Sequence, residues 1–168
     1  LKEFITEANI LTMGKQCRLF ESNFSMYQER KYCCFVNSGS SANLVLLQSL
    51  INLGRLKIGD KIAFSSLTWS TNVMPIIQLG LKPIPIDVEL DTLNICSKKL
   101  EQTCENEKIK CLFITNLLGF SSDLDKIERY CSLNNIILLE DNCESLGSVL
   151  KGKKLGNFGL ASTTSFFV

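Results

Sequence analysis

The sequence predicts an α/β fold of three layers, with a mostly parallel β-sheet between two layers of helices. Two observations predict this architecture. Strand-like apolar runs alternate with helix-like segments along most of the chain, which is typical of βα units. In addition, the run Ile136-Ile137-Leu138-Leu139 is continuously apolar, as expected for a strand that helices cover on both faces.

The first predicted element is a helix over residues 11–30, where Leu19, Phe20, Phe24 and Tyr27 recur at helical spacing. Short apolar runs then predict strands near residues 33–36, 61–65, 83–87, 110–115, 136–140 and 160–167. Helical patterns between them predict helices near residues 41–53, 70–79, 97–105 and 123–134. Turn signals separate these elements: Gly59-Asp60, Gly80, and Ser121-Ser122-Asp123 as an N-cap before Leu124.

Length and composition indicate one globular domain. The chain has 168 residues, of which 45% are hydrophobic and 21% charged, and no linker or repeat interrupts it. We divide it into an N-terminal helical segment, residues 1–30, and βα units over residues 31–168. The net charge of +1 gives no indication of nucleic acid as a partner. No apolar run approaches the ~20 residues of a membrane span, so we expect no membrane insertion and a cytoplasmic location.

The cysteine spacing and the absence of histidine limit which catalytic and metal sites this sequence can form. The eight cysteines contain no Cys-x-x-Cys motif, which favours free thiols in a reducing compartment over disulfides or a metal site. Histidine is absent, which removes a Ser-His-Asp or Cys-His nucleophile and the usual zinc sites from this segment. Acid–base chemistry would therefore depend on carboxylates, lysines, a cofactor or residues outside this sequence.

The two ends of the sequence predict a fragment of a longer protein. It starts at Leu1 rather than at a methionine, and it stops inside a β-type run, Thr163-Thr164-Ser165-Phe166-Phe167-Val168, with no turn or cap.

A small-residue turn, Asn37-Ser38-Gly39-Ser40-Ser41-Ala42-Asn43, separates the apolar run 33–36 from a helical pattern. The first turn of a helix exposes N–H groups and the positive end of the helix dipole, so it attracts phosphate. Gly39 permits close approach of the backbone, and the serines add hydroxyl donors. The alternative is an ordinary serine N-cap on a βα turn.

A group of acidic residues follows the buried strand of residues 136–139, in the sequence Glu140-Asp141-Asn142-Cys143-Glu144. Open α/β sheets bind their ligands at the carboxyl ends of the strands. A phosphate-binding turn and a carboxylate at such an edge together predict a phosphorylated cofactor with a cationic ring nitrogen. The alternative for Asp141 is a helix N-cap.

Two further residues follow predicted strands. Trp69, the only tryptophan, lies in the loop Ser65-Ser66-Leu67-Thr68-Trp69-Ser70-Thr71, where it could stack on a flat heteroaromatic ring. The alternative is that it fills the core beside Pro75. Ser165 lies in the last predicted strand, where its hydroxyl could contact a phosphate or pair locally.

Taken in order from about Thr12 to Val168, these motifs resemble the DegT/StrS-type sugar-nucleotide aminotransferases, a branch of the fold type I pyridoxal-phosphate (PLP) enzymes. The resemblance implies a truncated large, PLP-binding domain, with the C-terminal small domain lying outside this sequence. It also implies that Gly39, Ser40 and Ser41 bind the cofactor phosphate, together with Ser165 of the Ser-Phe-x-x-x-Lys strand.

The resemblance assigns the other cofactor contacts as well. Trp69, after Thr68, would stack on the ring. Asp141 would contact the pyridine nitrogen and is the candidate catalytic residue, because a buried carboxylate stabilises the protonated ring that makes PLP an electron sink. Glu144, three residues later, would approach the phenolic oxygen.

Three departures from the family pattern concern the reaction. The family's Schiff-base lysine would lie two positions beyond Val168. Glu144 stands where many of these aminotransferases carry glutamine, and Asn116 stands where a histidine is common. The phrases around Gly39 and Asp141 also look like the sugar-nucleotide 3-dehydrases, which use pyridoxamine phosphate (PMP) and replace the lysine with histidine.

The resemblance therefore implies an enzyme that transfers an amino group to a nucleotide-linked keto-sugar, in polysaccharide or deoxysugar biosynthesis. It also implies an amino-acid amino donor and a homodimer. The alternatives are a PMP-dependent 3-dehydrase, which removes a sugar hydroxyl, and a non-catalytic phosphate- or nucleotide-binding module. Because the motif lysine and the rest of the protein are missing, we expect this chain alone to be inactive.

Overall fold

The computed structural model describes residues 1–7 and 9–166, which fall into two compact units, Leu1–Val36 and Asn37–Val168. The first unit contains helices α1 (Lys2–Glu7) and α2 (Lys15–Tyr27). On α2, the rings of Phe20 and Phe24 stack with their centroids 5.7 Å apart. Helix α1 was not predicted from the sequence.

The predicted strand at residues 33–36 is wrong, because this segment has no regular secondary structure and no strand partner among the described residues. Instead of a strand partner, the Phe35 N–H has a side-chain acceptor, because it donates to Glu21 Oε1 at 2.8 Å. The Phe35 ring also packs edge-on against Phe20, with the ring centroids 5.2 Å apart. An apolar run therefore packs against a helix here instead of joining a sheet.

The second unit is built on a five-stranded parallel sheet of strands β1 (Lys61–Ser65), β2 (Lys82–Ile86), β3 (Ile109–Thr115), β4 (Ile137–Asp141) and β7 (Ala161–Thr163). Their order in the sheet is β2-β1-β3-β4-β7. The connecting helices are α3 (Gly39–Asn52), α4 (Ser70–Gln78), α5 (Ser97–Asn106) and α6 (Leu124–Leu133), with a 3₁₀ turn at Leu117–Gly119. A short antiparallel hairpin, β5 (Val149–Leu150) and β6 (Lys153–Lys154), precedes β7.

Alternate strand residues face opposite helix layers, as the period of a β-strand requires. On one face of the sheet, Phe113 and Leu139 share a buried cluster with Leu47 of α3 and Ile76 of α4. On the other face, the neighbouring strand residues Leu112, Ile114 and Leu138 pack with Leu100 of α5 and with Leu124 and Ile127 of α6. The predicted three-layer fold with a mostly parallel sheet is confirmed.

The boundaries of the predicted elements need small corrections. Strand β7 ends at Thr163, short of the predicted range 160–167, of which residue 167 lies outside the described residues. Asp123 occupies the N-cap position of α6 but makes no capping bond there. Its carboxylate instead accepts the N–H and the hydroxyl of Ser97 at 2.8 and 2.7 Å, so it caps the start of α5. No helix within the described residues is long and apolar enough to cross a membrane.

Candidate functional site

The candidate site lies at the sheet edge where the parallel strands β1, β3, β4 and β7 end. Strand β4 ends at Asp141, in register with Thr115 of β3 and Thr163 of β7. The loop after β1 approaches the same edge, because the hydroxyl groups of Thr68 and Thr115 lie 2.6 Å apart. Ligands of open α/β sheets bind at such an edge.

The phosphate-binding turn is the N-terminus of helix α3. Ser38 is the N-cap, and its Oγ accepts the Ser41 N–H at 3.1 Å. A Cβ added to Gly39 would lie 3.0 Å from Ser165 Cβ and 3.3 Å from Cys143 Sγ. A Cβ at position 39 would therefore press against Ser165 and Cys143, and Gly39 and Ser165 lie side by side although they are far apart in sequence. Ser40, the next residue of the helix, is exposed.

Asp141 is 1% exposed, and both of its carboxylate oxygens are hydrogen-bonded. Its Oδ2 accepts the side-chain amides of Asn72 at 2.6 Å and Asn43 at 3.1 Å, and its Oδ1 accepts the Cys143 N–H at 2.9 Å. It is the last residue of β4, so it is not the N-cap of a helix. Within the described residues no lysine or arginine pairs with this carboxylate.

We call Asn43, Asn72, Asp141 and Thr163 the Asp141 cluster. Asn43 and Asn72 were not predicted as site residues. The signal was available, because each is a polar residue on the apolar face of its helix: Asn43 precedes Leu47 and Leu50, and Asn72 precedes Ile76. A buried polar side chain needs a hydrogen-bond partner. Asp141 is that partner for both amides.

Trp69 does not fill the core beside Pro75, since 58% of its surface is exposed. Its indole N–H donates to Glu144 Oε1 at 3.1 Å, and Glu144 Oε2 accepts the Leu118 N–H at 3.0 Å. Glu144 therefore joins the loop after β1 to the turn after β3. Leu118 has a left-handed backbone conformation, with φ of 53°.

Cys143 lies between Asp141 and Gly39: its N–H donates to Asp141 Oδ1, and its Sγ would be 3.3 Å from a Cβ added to Gly39. Burial raises the pKa of its thiol, and the negative charges of Asp141 and Glu144 raise it further. Such a thiol stays protonated at neutral pH and is a poor nucleophile.

On the opposite face of β4, Glu140 forms a second buried group, the Glu140 cluster (Asn116, Glu140, Gly156, Gly159). Its Oε1 accepts the Gly159 N–H at 2.7 Å, and its Oε2 accepts the Gly156 N–H at 2.7 Å and the Asn116 amide at 3.1 Å. Burial raises the pKa of the Glu140 carboxyl, although these N–H donors oppose the shift. Asn116, where the resemblance expects histidine, is 1% exposed and donates also to Asn142 Oδ1 at 2.7 Å.

The chain matches the DegT/DnrJ/EryC1/StrS aminotransferase family over residues 2–168. A GDP-4-keto-6-deoxy-D-mannose 3-dehydratase of Yersinia pseudotuberculosis is 38% identical over 165 residues, covering 97% of this chain and 42% of that protein. A GDP-perosamine synthase of Vibrio cholerae is 28% identical, over 99% of this chain and 44% of that protein.

A solved structure of the E. coli GDP-4-keto-6-deoxy-D-mannose-3-dehydratase with bound hydrated PLP superposes with a TM-score of 0.92 at 36% identity. The match covers 99% of this chain and 43% of that one. An aminotransferase of Helicobacter pylori involved in the biosynthesis of pseudoaminic acid gives a TM-score of 0.87 at 26% identity, over 97% of this chain and 43% of that one. This chain therefore spans less than half the length of the relatives it matches.

Proposed function

Because the chain belongs to the DegT/DnrJ/EryC1/StrS aminotransferase family, we propose that it is the cofactor-binding part of an enzyme acting on a nucleotide-linked keto-sugar. The cofactor is pyridoxal or pyridoxamine 5′-phosphate. One observation carries this proposal: a buried carboxylate, Asp141, lies at the same sheet edge as the helix N-terminus that begins at Gly39. A phosphate site and a carboxylate that stabilises the protonated ring nitrogen together fit the two ends of a phosphorylated pyridine.

The residues at the helix N-terminus fit a phosphate. Gly39 lies against Ser165, since a Cβ added to Gly39 would be 3.0 Å from Ser165 Cβ and 3.3 Å from Ser165 Oγ, so both residues are placed to contact one phosphate. Ser40 and Ser41 follow in the first turn, where backbone N–H groups and the helix dipole favour an anion. In the proposed arrangement Gly39, Ser40, Ser41 and Ser165 bind the phosphate.

The charge of Asp141 supports the ring contact. Its two oxygens accept three N–H groups, all from neutral donors, so its negative charge has no cation to balance it within the described residues. A protonated ring nitrogen would supply that cation. When bound, such a cofactor supplies an electron sink for cleavage at a neighbouring carbon, and it does so best with its ring nitrogen protonated. Asp141 would hold the proton at that nitrogen.

Trp69 and Glu144 would complete the cofactor site. The exposed indole face of Trp69 can stack on a planar ring, and the Glu144 carboxylate fixes the orientation of the indole through its N–H. A module that only binds phosphate needs neither this tryptophan nor a buried carboxylate. For this reason we favour an enzyme over a non-catalytic module.

Within the family we favour removal of the C3 hydroxyl over transfer of an amino group. The 3-dehydratases of Yersinia pseudotuberculosis and E. coli are 38% and 36% identical to this chain, against 28% and 31% for the GDP-perosamine synthases of Vibrio cholerae and E. coli. A carboxylate at Glu144, where many aminotransferases carry glutamine, agrees with this choice. Amino transfer is the second candidate. The homodimer and the cytoplasmic location stay predictions.

Product analysis with the full-length protein separates these functions. The protein is incubated with PLP, L-glutamate and a GDP-linked 4-keto-6-deoxy sugar, and the sugar product is analysed by mass spectrometry and NMR. Glutamate is chosen because a solved 3-dehydratase relative was trapped with PLP and glutamate. A 3-dehydratase gives a product that has lost the C3 oxygen and keeps its keto group, whereas an aminotransferase gives an amine at C4. An unchanged sugar with this and with a dTDP-linked 4-keto sugar would contradict both.

A further inference from the structure

Asn43 lies where four elements of the candidate site meet. It is on helix α3, one turn after Gly39, and it is 1% exposed. Its Nδ2 donates to Asp141 Oδ2 at 3.1 Å and to the Thr71 carbonyl at 3.2 Å, and its Oδ1 accepts the Thr163 hydroxyl at 2.7 Å. One side chain thus connects the phosphate-binding helix, the end of β4, the start of α4 and the end of β7.

The orientation of this amide is fixed by its partners. The Thr71 carbonyl can only accept a hydrogen bond, and the ionised Asp141 carboxylate likewise only accepts, so both need the NH₂ group of Asn43. The carbonyl oxygen must then point to Thr163, whose hydroxyl can donate. Asn72 is different, because its Oδ1 is buried with no hydrogen-bond partner among the described residues, and its amide is held at one end only. Of the two amides on Asp141, Asn43 is therefore the one with a determined position.

We propose that Asn43 is a positioning residue: it holds the Asp141 carboxylate in line with the phosphate-binding turn, so that both ends of one phosphorylated pyridine are bound together. This inference rests on the proposed function. Asn43 touches neither end of that ligand itself and acts through Asp141. Its loss should therefore weaken the contact to the ring nitrogen much more than the contact to the phosphate.

The test compares two ligands in the full-length protein: PMP and an analogue with a carbon atom in place of the pyridine nitrogen. Equilibrium dissociation constants are measured by titration calorimetry for the wild type and for Asn43→Ala. A hydrogen bond to a charged group accounts for about a tenfold change in affinity or more. We expect Asn43→Ala to weaken PMP binding about tenfold and binding of the carbon analogue less than about threefold. A purely structural role would weaken both ligands equally, which would overturn the proposal.

Two further variants guard against a general loss of folding. Asn52→Ala removes an exposed asparagine of the same helix whose Oδ1 accepts only from Gln48 at 2.8 Å, and it should change neither affinity. Thr163→Val keeps the shape of the side chain and removes the hydroxyl that orients the Asn43 amide, so it should act in the same direction as Asn43→Ala. If Asn43→Ala does not fold, Thr163→Val decides: equal effects on the two ligands overturn the proposal.

The outcome for the wild type separates this inference from the proposed function. If the wild type binds PMP and the carbon analogue with equal affinity, Asp141 does not contact a ring nitrogen, and the proposed function fails together with the role of Asn43. If the wild type prefers PMP and Asn43→Ala keeps the same preference, the proposed function stands and only the role of Asn43 is wrong.

Discussion

Glu140 and Asp141 are neighbours on strand β4, both almost fully buried, yet their surroundings differ in kind. Glu140 faces the α5–α6 side of the sheet, and its carboxylate accepts the backbone N–H groups of Gly156 and Gly159. Asp141 faces the α3–α4 side, and within the described residues its Oδ2 accepts the side-chain amides of Asn43 and Asn72. A backbone N–H cannot turn away when its acceptor is lost, but a side-chain amide can rotate and offer its oxygen.

This difference suggests different roles for the two carboxyl groups. Glu140 holds the loop at residues 156–159 against the sheet, so its contribution is to stability. The Asp141 carboxylate lies at the candidate site, and no cation within the described residues balances its charge, so its contribution is to binding.

Glu140→Ala should have the largest effect on stability. It removes the carboxylate oxygens that accept the buried N–H groups of Gly156 and Gly159, and the loss of a buried hydrogen bond of this kind costs about 1–3 kcal/mol. We expect the free energy of unfolding of the full-length protein to fall by about 3 kcal/mol, measured by urea denaturation. The control is Glu128→Ala, which removes only a half-exposed ion pair to Lys153 and should cost less than about 0.5 kcal/mol. Equal effects of the two substitutions would show that Glu140 does not hold the loop.

Gly39→Ala should mainly reduce the affinity for PMP, with a smaller effect on stability. The backbone of Gly39 does not need a left-handed conformation, so the effect of the new Cβ is steric: Ser165 or Cys143 must move. We expect the affinity for PMP to fall about tenfold, or about 1.4 kcal/mol, with a smaller change in unfolding free energy. Titration calorimetry measures the affinity, and Ser49→Ala, an exposed change on the same helix, is the control. Unchanged affinity would remove Gly39 from the proposed phosphate site.

A smaller effect is expected in the pH dependence of stability, because Glu140 has a shifted pKa in the folded protein. Since burial raises the pKa of this carboxyl in the folded protein, its protonated form is the one that favours folding. Its stabilising contribution is complete below the unfolded-state pKa of about 4.3 and is lost as the pH rises through the higher folded-state pKa. The stability advantage of the wild type over Glu140→Gln should therefore shrink as the pH rises from about 4 to 7. If the stability advantage of the wild type instead grows over this pH range, folding lowers the pKa of Glu140 rather than raising it.

Much of the fold could be predicted from the sequence, because four strands of the parallel sheet are short apolar runs followed by turn signals. Strand β1 has the predicted bounds, and β2, β3 and β4 lie within one residue of theirs. The segment at residues 33–36 has the same apolar character, but its backbone pairs with the side chain of Glu21, which composition does not reveal. The hairpin at residues 149–154 was missed because its strands are two residues long and one of them is Lys153–Lys154.

The candidate site was predictable where a residue type has a local reason to be present. Gly39 at a helix start and Asp141 at a strand end are such positions. Asn43 belongs to the small-residue turn of residues 37–43 but was not predicted as a site residue, since its partners Asp141 and Thr163 are 98 and 120 residues away in sequence. Contacts over such separations depend on the sheet order, which the sequence pattern leaves open.

The most direct test makes the same chemical change at the two neighbouring carboxyl groups. PMP affinity and urea unfolding are measured for full-length Asp141→Asn and Glu140→Gln, since each substitution replaces a buried carboxylate by its amide. We predict that Asp141→Asn weakens PMP binding by about tenfold or more, with the smaller loss of stability, because the Asn72 amide can reorient. Glu140→Gln should lose more stability and keep the wild-type affinity in the folded protein. Wild-type affinity in Asp141→Asn would contradict the claim that Asp141 binds the ring of a phosphorylated pyridine cofactor.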